Sequence, residues 1–112
     1  MKIAIIGGSP HDYDVLDQKL NELIAASQTY LFYVVCGGLA SSPRQPSLGE
    51  IWAKKNGAPI WWIEKDDIQS LLNGVAAAAD YIIFIFKGEQ WMKNFIMQFR
   101  MTGKHGTVIR LE

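Results

Sequence analysis

The chain is expected to fold as an α/β, Rossmann-like three-layer sandwich of about five parallel strands flanked by helices. Three features predict this. Short, almost continuously apolar runs alternate with segments of helical period from one end of the chain to the other. The runs are too apolar for strands with one wet face and suit strands covered on both sides. Glycine, serine, asparagine and proline punctuate the joins, which is the turn chemistry of repeated βα units. Right-handed crossovers leave few topologies for such a pattern, and a doubly wound sheet is the leading one.

Each element follows in order. Lys2 to Ile6 (KIAII) reads as a buried strand, ended by Gly7-Gly8-Ser9-Pro10. Asp12 to Ala26 changes period: Val15, Leu16, Leu20, Leu23 and Ile24 recur at helical spacing, with Asp12 and Asp14 available to cap. Leu31 to Val35 (LFYVV) reads as the second strand, stopped by Gly37-Gly38, and Leu39 to Pro46 as an irregular loop. Ser47, with Glu50 three residues on, has capping-box spacing for a helix from Leu48 to Asn56, closed by Gly57. Pro59 to Ile63 (PIWWI) is the third strand. A helix capped by Asp66 or Asp67 then runs to Ala79. Tyr81 to Phe86 (YIIFIF) is the fourth strand, Gln90 to Thr102 a helix stopped by Gly103, and Thr107 to Leu111 (TVIRL) the fifth strand.

At 112 residues there is room for one core, so residues 1–112 are expected to form a single domain. Eleven basic and eleven acidic residues cancel, which disfavours nucleic acid and anionic lipid as partners. Cys36 is the sole cysteine, so no internal disulfide can form, and a reducing, cytoplasmic setting is expected. The apolar run at Ile3 to Ile6 is too short for a signal peptide, and Asp80 interrupts the longest apolar stretch, so no membrane association is expected.

In a doubly wound sheet a ligand lies beyond the carboxyl ends of the strands, where the winding reverses. The sequence puts Gly7, Gly8 and Ser9 after the first strand, Cys36, Gly37, Gly38 and Ser41 after the second, and Lys87 and Gly88 after the fourth. Glycine lets backbone N–H groups approach an anion, and a following helix adds its positive end. Ser9, Ser41 and Ser42 can donate to phosphate or ribose oxygens, and Arg44 can bind an oxyanion through its planar fork. His11 is placed to titrate beside such a ligand. The same glycines can equally serve tight turns. Gly7-Gly8-Ser9-Pro10 lacks the third glycine of GxGxxG, and no Gly-Lys-Ser/Thr follows any strand. A dinucleotide-dependent oxidoreductase or an NTPase is therefore disfavoured, and neither a cofactor nor a metal is expected.

The run Val34 to Ile60, VVCGGLA…SLGEIWAKKNGAPI, resembles the core of the SLOG superfamily, the group of the DprA/SMF and Lonely Guy proteins. Met1 to Ser9 is similar to their first strand, and Ala79-Asp80-Tyr81 to Gly88 to their fourth. The resemblance implies a Rossmann-like fold binding nucleotides or nucleotide-derived ligands, with Gly8, Ser9, Cys36, Gly37 and Gly38 on ligand-contacting positions and Gly88 and Glu89 near the fourth turn. Lys87-Gly88-Glu89-Gln90-Trp91 departs from the P-G-G-x-G-T-x-x-E motif of the phosphoribohydrolase branch, and the loop Leu39 to Pro46 lacks the Gly-x-Asp that opens the next helix in many relatives.

A nucleotide-type sensor or binding protein without strong catalysis is the leading expectation. The alternative is an enzyme acting on an N-glycosidic bond, a phosphoribohydrolase or deoxyribosyltransferase type, with Glu50 or Glu89 as its working carboxylate. A purely structural interaction protein is the third. Trp52, Trp62 and Trp91 exceed what a small core absorbs, which predicts a homo-oligomer interface.

Overall fold

The computed structural model describes residues 1–27, 32–40 and 46–111. In chain order these form β1 (Lys2–Gly7), a 3-10 turn (Pro10–Asp12), α1 (Tyr13–Ser27), β2 (Tyr33–Leu39), α2 (Leu48–Asn56), β3 (Ile60–Lys65), α3 (Ile68–Ala78), β4 (Tyr81–Phe86), α4 (Gln90–Arg100) and β5 (His105–Arg110). All strands pair in parallel, in the order β3-β2-β1-β4-β5.

The continuous apolar runs are explained by burial on both faces. Along β4, Ile82, Phe84 and Phe86 join Ala4, Ile6 and Val35 under α3 and α4, while Ile83 and Ile85 join Ile3, Val34 and Cys36 under α1 and α2. Each isoleucine, valine or phenylalanine among them contributes about 1.5–3 kcal/mol by leaving water. Phe84 also meets Phe95 and Phe99 edge-on, at centroid distances of 6.1 and 5.3 Å. That geometry suits the aromatic quadrupole.

Helix ends are closed by local chemistry. The Ser47 hydroxyl accepts the Glu50 N–H at 3.3 Å, and Gly57 takes the left-handed C-cap with φ 66°. Asp67, not Asp66, caps α3, accepting the Ser70 N–H at 2.8 Å. At the other end of α3, the Lys104 ammonium donates to the carbonyls of Ala76, Ala77 and Ala79. A cation there meets the negative end of the helix.

Several boundaries differ from those the periodicity predicts. Gly37 and Gly38 do not stop β2, which runs on to Leu39 with Gly37 opposite Ile63 and Gly38 opposite Glu64. Pairing with β3 outweighs the weak strand preference of glycine. Asp12 does not cap α1. It ends a preceding 3-10 turn whose N-cap is Ser9. β3 extends to Lys65, and β5 starts at His105, so His105 and Gly106 belong to a strand, with Gly106 seated beneath the Phe99 ring. α4 ends at Arg100, where the Thr102 hydroxyl donates to the Phe99 carbonyl at 2.7 Å.

The tryptophans also depart from expectation. Trp52 is buried in the core, its indole N–H donating to Asp17 at 2.9 Å. Trp61 and Trp62 are both exposed, on the edge strand β3. No helix among the described residues is long and apolar enough to cross a membrane.

Candidate functional site at the rim between β1 and β4

The chain winds outward from β1 through β2 to β3, then crosses back through α3 to β4 on the other side of β1. The reversal lies at the carboxyl ends of β1 and β4, the place where open α/β sheets form a crevice. Gly7 pairs with Ile85, so Gly8 and Ser9 leave the sheet beside Phe86 and Lys87. On the opposite flank, the β1–β2 ladder covers only Lys2↔Tyr33 to Ala4↔Val35. Cys36 to Leu39 therefore pair with β3 alone, and the rim opens between β1 and β2.

The glycines at this rim serve different ends. Gly7 has φ 90°, and a Cβ there would lie 2.4 Å from Met92 Cε and 2.5 Å from the Ile85 carbonyl oxygen. Its conformation and its lack of a side chain are both needed for α4 to seat on the sheet. Gly8 (φ 81°) and Gly88 (φ 93°) are exposed turn residues. Gly37 and Gly38 have no positive φ. Leu71 covers Gly37, and the Trp62 indole lies over Gly38.

One oxygen of Asp12 organises the two turns. Asp12 Oδ2 accepts from the Ser9 N–H at 2.8 Å and the Ser9 hydroxyl at 3.2 Å, and lies 2.7 Å from the Lys87 ammonium. The Lys87 hydrogen bond foremost, aided by the Ser9 donors against the opposing effect of burial, holds this carboxyl below the usual carboxylate range. Three donors from two strand ends thus converge on one oxyanion, at the start of a helix.

The other singled-out residues are placed less alike. Cys36 is 3 % exposed and packs under α1 and α2, so its thiol is not on the rim. Ser41 and Arg44 lie outside the described residues. Glu89 accepts the Lys87 backbone N–H at 2.6 Å, so its carboxylate closes its own turn. Glu50 is not the side-chain half of a capping box. Its carboxylate is buried, with Oε2 3.3 Å from the Lys54 ammonium. α2 reaches the rim through Leu48, whose Cδ2 lies 3.0 Å from where a Gly8 Cβ would stand.

In the sequence the position of Asp12 invites a capping role, and only the fold brings Lys87 to it across 75 residues of chain. The visible signal was Ser-x-x-Asp spacing at Ser9 and Asp12, the same spacing recognised at Ser47 and Glu50. Among the described residues, no group of three or more His, Cys, Asp or Glu side chains could hold a metal ion. No family model matches the chain, and no curated protein or solved structure is detectably similar to it.

Proposed function

We propose that this chain binds a nucleotide or nucleotide-derived ligand at the rim between β1 and β4, as a sensor or binding protein without strong catalysis. The observation that carries the reading is the oxyanion site formed by Ser9 N–H, Ser9 Oγ–H and the Lys87 ammonium around Asp12 Oδ2. A ligand phosphate takes these donors in place of the Asp12 carboxylate, and exposed Gly8 and Gly88 allow close approach to the backbone. The β1–β2 ladder ends at Ala4 and Val35, so the rim opens between these two strands, while Leu71 and Trp62 cover Gly37 and Gly38. The resemblance of Val34 to Ile60 to SLOG proteins supports the same ligand class.

Thermal melts against nucleoside mono- and diphosphates, cyclic nucleotides and ADP-ribose test this. A ligand at about a hundred times its Kd stabilises by about 2.7 kcal/mol. A domain of this size then melts several degrees higher. The shift should vanish in Lys87→Gln and shrink in Ser9→Ala. A flat response to the whole panel would remove the reading.

Burial of Glu50 on α2, which reaches Gly8 through Leu48, favours one alternative, hydrolysis or transfer at an N-glycosidic bond. Release of base from nucleoside monophosphates, lost in Glu50→Gln, would establish it. Exposure of Trp61, Trp62 and Trp91 supports self-association through these faces. Sedimentation of a monomer at high micromolar concentration would end that part.

A further inference from the structure

The geometry points to a second anion site, in the groove between α4 and β5, that takes a small phosphorylated organic molecule. It adjoins the rim at Gly88 but is not lined by Ser9, Asp12 or Lys87, and stands without that cluster.

The sequence of α4 places Lys93, Ile96, Met97 and Arg100 on one stripe, at helical spacings of three and four. In β5, Gly106 seats under Phe99, so alternation brings Val108 and Arg110 to the same side, facing α4. Between these elements is a groove of about 430 Å³ that Phe86, Gly88, Lys93, Arg100, Val108 and Arg110 help to line. Among the described residues three cations line it and no carboxylate does, in a chain whose charges cancel overall. A neighbouring hollow of about 290 Å³ shares Arg100 and Arg110, adds Lys104, and has no acidic residue among its described lining.

The side chains of Lys93 and Arg100 have no ion pair or hydrogen bond among the described residues. The Arg110 guanidinium is held 5.4 Å from the Phe86 ring centroid, a cation–π geometry. A charge on an edge strand such as β5 guards against strand-to-strand association. That accounts for Arg110 and leaves unexplained why two cations from α4 converge on it. Two guanidinium forks on opposite walls suit a phosphate, which accepts bidentate pairs. Phe86, Ile96, Met97 and Val108 give the groove an apolar lining for an organic portion. The volume falls within the range of small-molecule sites, about 300–1,000 Å³.

Phenyl phosphate, inorganic phosphate and phenol, titrated into ¹⁵N-labelled full-length chain, test the proposal. Phenyl phosphate should shift the amides of Met97, Arg100, Val108 and Arg110, and bind more tightly than either fragment. Lys93→Gln with Arg100→Gln, both exposed on α4, should weaken it about tenfold or more at an unchanged melting temperature. Equal affinity in that double variant overturns the site, and equal affinity for inorganic phosphate overturns the organic component. Shifts confined to Gly8, Ser9 and Lys87 overturn the groove and support the rim reading. Shifts in neither place count against both.

Discussion

Gly7-Gly8 and Gly37-Gly38 are the same dipeptide at the ends of neighbouring strands, yet they do opposite things. Both residues of the first pair adopt positive φ and turn the chain out of the sheet. Both residues of the second stay in the ladder, opposite Ile63 and Glu64. The first pair is required by backbone conformation and by the approach of α4 at Met92. The second is required by what lies above it, Leu71 on one face and Trp62 on the other. A glycine pair therefore marks a place where a side chain is not tolerated, and the neighbours decide whether the chain also turns there. Only the first pair is tied to a charged cluster, through Ser9 and Asp12.

The largest test of this contrast is Gly7→Ala. The methyl meets a carbonyl oxygen that cannot move away, and φ 90° is strained for alanine. A loss of about 4 kcal/mol in urea unfolding is expected. A loss below about 1 kcal/mol would mean that Gly7 is an ordinary turn residue. Gly37→Ala should cost less, about 2 kcal/mol, because the nearest atom is the flexible end of Leu71 at 2.6 Å. Trimming that neighbour sharpens the point. Gly37→Ala combined with Leu71→Ala should be less destabilised than the sum of the single variants, by about 1 kcal/mol. Strict additivity would remove packing as the reason for Gly37.

The smallest effect concerns the ion pair beside the first pair. The carboxyl of Asp12 is depressed in the folded state, so its contribution is present above the unfolded value and is lost as pH falls through the folded one. Asp12→Asn keeps an acceptor for Ser9 and removes the charge facing Lys87. It should lower stability by about 1 kcal/mol above about pH 5, with the gap closing as pH falls below the ordinary carboxylate range. A gap that stayed constant across that range would assign the loss to packing rather than charge.

Much of the architecture was legible because burial on both faces writes itself into composition. Tyr81–Phe86 matches β4 residue for residue, and Ser47 and Gly57 bound α2 where their chemistry places them. The misread places are those where a local signal has two meanings. His105-Gly106 looks like a turn until Phe99 covers the glycine, and Trp52 looks surplus until Asp17 takes its indole N–H. Of the candidate site, Gly8, Ser9, Lys87 and Gly88 do meet at one rim, whereas the Cys36 thiol faces the core.

Period and capping chemistry are properties of adjacent residues, so the order and type of the elements could be read along the chain. Strand neighbours, the meeting of Ser9, Asp12 and Lys87, and the convergence of Lys93 and Arg100 with Arg110 could not. Those depend on which side of β1 the fourth strand inserts, and that is set by how all four helices share the two faces of the sheet.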